Sequence, residues 1–312
     1  MPLTSLFSTL LQNFNRKRME HERVADELNK MTLNEPWRTI SWGDKQRDLQ
    51  YVQEYKPENG NVSHLRVLLY GPVGAGKSTF INSVSNVLRG RMTIPALASA
   101  TTSDKSFTIR YETHKFRKGK GNPKTFYPLV FNDMMGLEER LKEGSDRGVH
   151  PDDIKLAMKG HVRERYKFYP GSPLSEHDPG YNPSPTPDDR VHILVCVISA
   201  NSAEIKNSVL QKMRAIRETA SDLGIPQMAI VTNIDALCGE IEKDLKNVYK
   251  SRHLKKKMSD FSSAVGIPMN CICPVKNYSH EIQISDEMDS LILSALRLII
   301  DFGDDFIDKM FT

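Results

Sequence analysis

Between residues 64 and about 283, short apolar runs alternate with stretches whose apolar positions recur at helical spacing. That alternation predicts an open, mostly parallel α/β sheet with helices on both faces. The apolar runs predict strands at 64–70, 105–113, 126–132, 191–199, 227–232 and 270–275. The link from His114 to Lys124 is too short for a crossover helix, so the second and third strands are expected to pair as an antiparallel hairpin. Its lysine-rich tip reads as a solvated turn.

The pattern changes on either side of this region. Leu3, Leu6, Phe7, Leu10, Leu11 and Phe14 form an apolar helical stripe, followed by Arg16-Lys17-Arg18. Asn34-Glu35-Pro36-Trp37 then interrupts the helical pattern, and Tyr55 to Gly60 is a turn-rich approach to the first strand. The chain therefore divides into an N-terminal helical extension, residues 1–60, and a domain spanning residues 61–312 with an insertion at about 144–190. The insertion carries a short helix from Pro151 to Lys159 and a proline-studded loop from Pro170 to Pro187, long enough to suggest a functional or mobile segment. Met288, Leu291, Ile292, Ala295, Leu296, Ile299 and Ile300 mark a last helix that covers the sheet. The stripe near the N-terminus needs a cover, because each large apolar side chain left in water forgoes roughly 1.5–3 kcal/mol. Packing on the domain near the last helix is the favoured expectation. Pairing with a second copy or another protein, or lying on an anionic membrane, are the alternatives.

Composition narrows the class. The chain has 312 residues, 39% of them hydrophobic and 26% charged, in the range of an ordinary soluble globular protein. A net charge of +4 is too mild to imply a nucleic-acid partner. No apolar run approaches the length of a membrane span, and the N-terminus lacks the order of a secretory signal. Of the four cysteines, Cys271 and Cys273 are too closely spaced for zinc, and Cys196 and Cys238 lie far from them. Buried, reduced thiols are expected, which points to the cytosol.

The chemistry is concentrated in Gly71-Pro72-Val73-Gly74-Ala75-Gly76-Lys77-Ser78, which fits G-x-x-x-x-G-K-[ST] between a strand and a helix opening at Thr79. Such a loop aims backbone N–H groups at one point, at the positive end of the following helix. Val73 to Thr79 are thus candidate phosphate contacts. Lys77 would reach the β and γ phosphates, and the Ser78 hydroxyl would join a Mg²⁺ shell. Asp133-Met134-Met135-Gly136 is a D-x-x-G at a strand end, where Asp133 would hold Mg²⁺ through water and the Gly136 amide would sense a γ-phosphate. Thr101 or Thr102 lies where GTPases place a switch threonine on the metal. Thr232-Asn233-Ile234-Asp235 stands where GTPases carry [NT]-K-x-D. Asp235 would accept from guanine N1 and N2, a donor pair that adenine lacks. A helix N-cap is the alternative role for Asp235. Asn233 replaces the lysine that packs over the base. Asn277, after the last strand, is a further candidate base contact.

The phosphate loop, Glu35-Pro36-Trp37-Arg38, Tyr55-Lys56-Pro57, Lys159-Gly160-His161 and Ser290 to Arg297 together resemble the interferon-induced protein 44 family, over about residues 34–307. The resemblance implies a cytoplasmic, interferon-inducible GTP-binding protein of vertebrate innate immunity with a P-loop, G-domain-like fold. Longer members carry an N-terminal TLDc-type domain, whereas this chain reads only as a helical segment there. Relatives also read Thr-Lys-x-Asp where this chain has Asn233.

Hydrolysis is expected to be slow. Leu137 stands where Ras-like GTPases have the glutamine that orients the attacking water, and Val73 replaces a glycine common in fast enzymes. If that missing group is the only defect, a glutamine at 137 should speed turnover. Arg147, His150, Arg163 and Arg165 are candidate donors to the site, in cis or across a dimer, with plain surface charge as the alternative. The leading expectation is a GTP/GDP switch. The second is a GTP-binding antiviral or signalling scaffold with negligible hydrolysis, and an ATP-dependent kinase or ATPase is disfavoured by Asp235. A guanine nucleotide is the expected ligand, with a second copy or a protein effector as candidate partners.

Overall fold

The computed structural model describes residues 32–96, 109–138, 148–169, 171–201 and 205–312. The apolar stripe from Leu3 to Phe14, Thr101, Thr102 and Arg147 lie outside them.

Among the described residues, six strands form one sheet in the order β2-β3-β1-β4-β5-β6. β1 (Leu65–Tyr70) is central, paired in parallel with β3 (Thr125–Asp133) on one side and β4 (Ile193–Ser199) on the other. β5 (Gln227–Thr232) and β6 (Ile272–Pro274) extend the parallel run, and β2 (Glu112–Lys118) pairs antiparallel to β3 at the opposite edge. Strands buried on both faces read as continuous apolar runs, and Ile193 to Ile198 is one: all six are buried. This is the P-loop, G-domain-like architecture expected from the sequence.

Helix placement follows from right-handed crossovers. The connection from β1 to β3 passes through α2 (Lys77–Arg89), and the connections from β4 to β5 and from β5 to β6 pass through α4 (Asn207–Asp222) and α7 (Arg252–Val265). Because these crossovers run in opposite directions from β1 and β4, α2 lies on one face and α4 and α7 on the other. α1 (Lys45–Glu54) and the C-terminal α8 (Asp286–Lys309) join the α2 face. The described part of residues 144–190 begins at Gly148 and carries α3 (Pro151–Met158), which packs against α4. Two short helices, α5 (Ile234–Leu237) and α6 (Gly239–Lys243), follow β5. At Gly303 any Cβ would come 2.4 Å from Leu65 Cδ1, so the missing side chain lets α8 settle on β1. Among the described residues, no helix is long and apolar enough to cross a membrane.

One strand lies elsewhere than expected. The second strand runs from 112 to 118, not from 105 to 113, and half of the anticipated link is strand. Only His114 and Phe116 of β2 are buried, while Lys115 is exposed and Arg117 and Lys118 are half-buried. An edge strand with charges on its open side lacks the apolar density that marks the central strands. The cysteines are all free; three are buried, and Cys271 is half-buried in a 3₁₀ turn ahead of β6.

Candidate nucleotide-binding site

The loop between β1 and α2 is shaped by contacts that only glycine permits. A Cβ on Gly71 would sit 2.0 Å from the Val197 carbonyl oxygen, so the chain leaves β1 pressed against β4. The amides of Gly74, Gly76, Lys77 and Thr79 donate to no other described residue. They form the cluster of N–H groups that attracts anions at a helix start. Lys77 is buried. Its ammonium reaches back to the loop's own carbonyls, 3.2 Å from Pro72 O and 3.4 Å from Gly71 O. Burial lowers its pKa, opposed by the negative charge of Asp133. The ammonium is thus satisfied by backbone oxygens of the loop that carries it.

Two more segments meet the loop at this end of the sheet. Asp133, at the end of β3, accepts from the Ser78 hydroxyl at 2.5 Å and from the Met134 amide at 2.9 Å. Oxygen donors from two different elements therefore converge beside the free amides. The turn after Asp133 is fixed to the loop itself. The Leu137 amide donates to Gly71 O at 2.9 Å, and the Val73 amide donates to Leu137 O at 3.3 Å, so Val73's N–H is already engaged. A Cβ on Gly136 would lie 2.6 Å from Val73 Cγ2. Leu137 also bridges Gly148, and the Val149 amide donates to Gly136 O at 3.3 Å. Leu137 is thus the middle rung of a short ladder, only 2% exposed. Of the donors sought in the insertion, His150 caps α3 by accepting from the Asp152 amide, and the Arg163 side chain bonds Pro179 O within the insertion.

The ends of β5 and β6 close the far side. Thr232 donates to Ala75 O at 2.7 Å and Asn277 to Gly76 O at 3.3 Å, tying both strand ends to the phosphate loop. Asn277 Oδ1 is buried without a partner, an acceptor left over at the wall of the site. Asn233 takes a left-handed conformation (φ 53°) and donates its side-chain amide to Ser199 Oγ at 2.9 Å. It sits at the N-cap position of α5 without a side-chain cap bond, and Asp235 lies inside the helix rather than capping it. Sequence reasoning missed a further pair. Lys276 lies 3.4 Å from Asp235 and 3.1 Å from Glu281. Burial disfavours the Lys276 ammonium, but the two carboxylates outweigh it and raise its pKa. Glu281 is held down to about 2, since amide bonds and Lys276 overcome its partial burial. The only signal for Lys276 was its place next to Asn277.

Comparison with known proteins fixes the lineage. Mouse interferon-induced protein 44 is 33% identical over 264 residues, covering 84% of this chain and 60% of that protein. The chain is a homologue of the interferon-induced protein 44 family. Human interferon-induced protein 44-like is 31% identical over 298 residues, 95% of this chain and 64% of that protein. The chain thus spans about 60% of the length of the family members it matches. No family model matches it. Among solved structures, a dimerization-deficient Toc33 mutant from Arabidopsis thaliana aligns at 13% identity with a TM-score of 0.47, covering 84% of this chain and 92% of that one. Toc33 in complex with GDP and Mg²⁺ aligns at 12% identity with a TM-score of 0.45, covering 84% and 96%.

Proposed function

We propose that this chain binds a guanine nucleotide with Mg²⁺ and acts as a GTP/GDP switch that resets by slow hydrolysis. The observation that carries the proposal is the convergence of four motif-bearing strand ends. β1, β3, β5 and β6 deliver the phosphate loop, Asp133, Asp235 and Asn277 to one end of the sheet, and hydrogen bonds join the loop to Asp133, to Thr232 at the end of β5 and to Asn277. In this reading the amides from Gly74 to Thr79 hold the phosphates, Lys77 turns from Pro72 O to the β and γ oxygens, and the Gly136 amide senses the γ-phosphate. Asp235 reads guanine N1 and N2, with Asn233 and Asn277 flanking the base. Ser78 and Asp133 are hard oxygen donors already within reach of each other, a set that suits Mg²⁺ with nucleotide phosphates completing its shell. Bound there, the ion supplies neutralisation of phosphate charge.

A second reading, a GTP-binding scaffold with negligible hydrolysis, draws support from Leu137. It brings no polar group to the site and is pinned on both sides. Interferon inducibility, a role in innate immunity and a cytoplasmic location are carried over from the family as part of the same proposal. A second copy or an effector protein would be the partner.

Calorimetry with GTP and ATP tests the site. GTP should bind more tightly than ATP, and Lys77→Ala should abolish binding of both. Asp235→Asn should weaken GTP at least tenfold with little effect on ATP, because it removes two charge-assisted bonds worth roughly 1.5–3 kcal/mol each. An unchanged GTP:ATP preference would overturn the base assignment. Single-turnover release of γ-phosphate at high protein concentration separates switch from scaffold, and interferon treatment of cells followed by transcript measurement checks inducibility.

A further inference from the structure

A cavity of about 600 Å³ opens at the edge opposite the phosphate loop, within the range of small-molecule sites. Val191 and Ile225 line it just before β4 and β5 begin, whereas the nucleotide site lies beyond the points where those strands stop. Met158, Leu223, Phe306 and Met310 complete an apolar wall drawn from the ends of α3, α4 and α8. The ionic lining is of one sign: Lys159, Arg190 and Lys309, with His161 beside them. No side chain of these three cations forms an ion pair or hydrogen bond with a described residue.

The wall is built rather than incidental. Lys159-Gly160-His161 has no part in binding a nucleotide, yet it is packed tightly here. Gly160 has φ 85°, and a Cβ on it would meet the Asp189 backbone and Pro185 Cβ at 2.9 Å. The glycine brings Lys159 and His161 against the segment that carries Arg190. The His161 ring stacks on Tyr181 with centroids 4.9 Å apart, and its Nδ1 donates to Asn182 O at 2.8 Å, which fixes its orientation. Three like charges beside an apolar wall, with no carboxylate in the lining, match a ligand that is anionic at one end and apolar along its body.

We propose that this cavity binds a small anionic amphiphile, a single carboxylate or phosphate headgroup on an apolar body. The headgroup meets Lys159, Arg190 and Lys309, and the body lies against Leu223, Ile225 and Phe306. The site is separate from the nucleotide site and does not rest on it.

Calorimetry on the full chain tests this, using dodecanoate and dodecyl phosphate below their micelle concentrations, with dodecanol and dodecyltrimethylammonium as neutral and cationic controls. Both anions should bind at one per chain, at least tenfold more tightly than either control, and saturating GTP should not compete. The double substitution Arg190→Glu with Lys309→Glu, at two exposed positions, should weaken anion binding at least tenfold. Leu223→Trp, which fills the apolar side, should weaken it independently. Equal binding of dodecanol and dodecanoate, unchanged affinity in both variants, or competition by GTP would overturn the proposal. So would co-sedimentation with phosphatidylserine vesicles in the absence of one-to-one binding of the soluble amphiphiles, since the cations would then be a membrane-facing patch.

Discussion

Leu137 shows how a residue can be legible in kind and misread in consequence. From its place after Asp133-Met134-Met135-Gly136 it reads as a missing water-orienting group, and restoring a glutamine there is the direct remedy on that reading. In the fold the side chain is 2% exposed and the backbone is bonded to the phosphate loop on one side and to the Gly148 segment on the other. Leu137→Gln would place an amide in that apolar position at a cost of about 1–3 kcal/mol. The expected outcome is a lower melting temperature with no gain in phosphate release, read by calorimetric melting and single-turnover assay. Titratable residues in the core carry a separate prediction. His192 is fully buried between the Arg66 amide, which donates to its Nδ1, and Pro187 O, which accepts from its Nε2. Burial, with the nearby positive charge of Arg66, brings its pKa down to about 4. The unfolded chain takes up this proton near pH 6.5, so the neutral ring's contribution is intact above pH 6.5 and is lost as pH falls through 4. Asp153, buried and raised to about 6, acts in the opposite sense: its contribution is greatest below pH 4 and is lost as pH rises through 6. His192→Asn should therefore melt below the parent at neutral pH. The gap between the two should close, by an amount on the order of 3 kcal/mol, as pH falls from 6.5 to 4. A gap that stays constant with pH would mean that the histidine is not held neutral.

At the level of elements, three of the four segments that carry the family resemblance outside the phosphate loop prove to be braces. Trp37 packs edge-on to Tyr249 at 5.2 Å, with the Arg38 guanidinium over both rings. Arg38 also donates to the carbonyls of Met269 and Ile272, at the entry to β6. Tyr55 donates to Asp304 at 2.8 Å, and Arg297 pairs with Asp48 at 2.7 Å, so α1 is fastened along α8. None of this was readable from periodicity, because the partners lie more than two hundred residues apart and the contacts are polar. The central strands and α8 were readable, because burial on two faces or along one stripe writes itself into the apolar pattern. β2 was displaced in the reading for the converse reason: its inward side chains are only His114 and Phe116. The Arg38 brace lies beneath the strand that leads to Lys276 and Asn277. Arg38→Ala should cost about 1–3 kcal/mol in stability, by loss of charge-assisted bonds to two carbonyls. It should also weaken GTP more than inorganic pyrophosphate, because the base end of the site loses its support and the phosphate end does not. Chemical denaturation and competition binding measure the two effects.

Across the whole molecule, the parallel sheet separates two kinds of chemistry. Strand ends gather the phosphate loop, Asp133 and Asp235 at one edge, and strand starts leave the cationic, apolar-walled cavity at the other. The convergence of Gly71–Ser78, Asp133 and Asp235 was legible because the spacing within such a loop is fixed by backbone geometry. The cavity was not, since its lining comes from five separate segments with no common spacing. The Pro72–Leu137–Gly148 bridges set the Gly71–Ser78 loop, the turn after Asp133 and the Gly148 segment side by side. Three backbone hydrogen bonds meet on that turn, Leu137 N–H to Gly71 O, Val73 N–H to Leu137 O and Val149 N–H to Gly136 O, so a shift of the turn strains all three. In hydrogen exchange, the amides of Val73, Leu137 and Val149 should therefore share one protection factor and one dependence on denaturant, as a single cooperative opening unit. Three unrelated rates would show separate loops. A shared rate would mean that any displacement of the Gly71–Ser78 loop reaches the turn after Asp133 through a unit that opens or stays shut as a whole, giving an all-or-none response rather than a graded one.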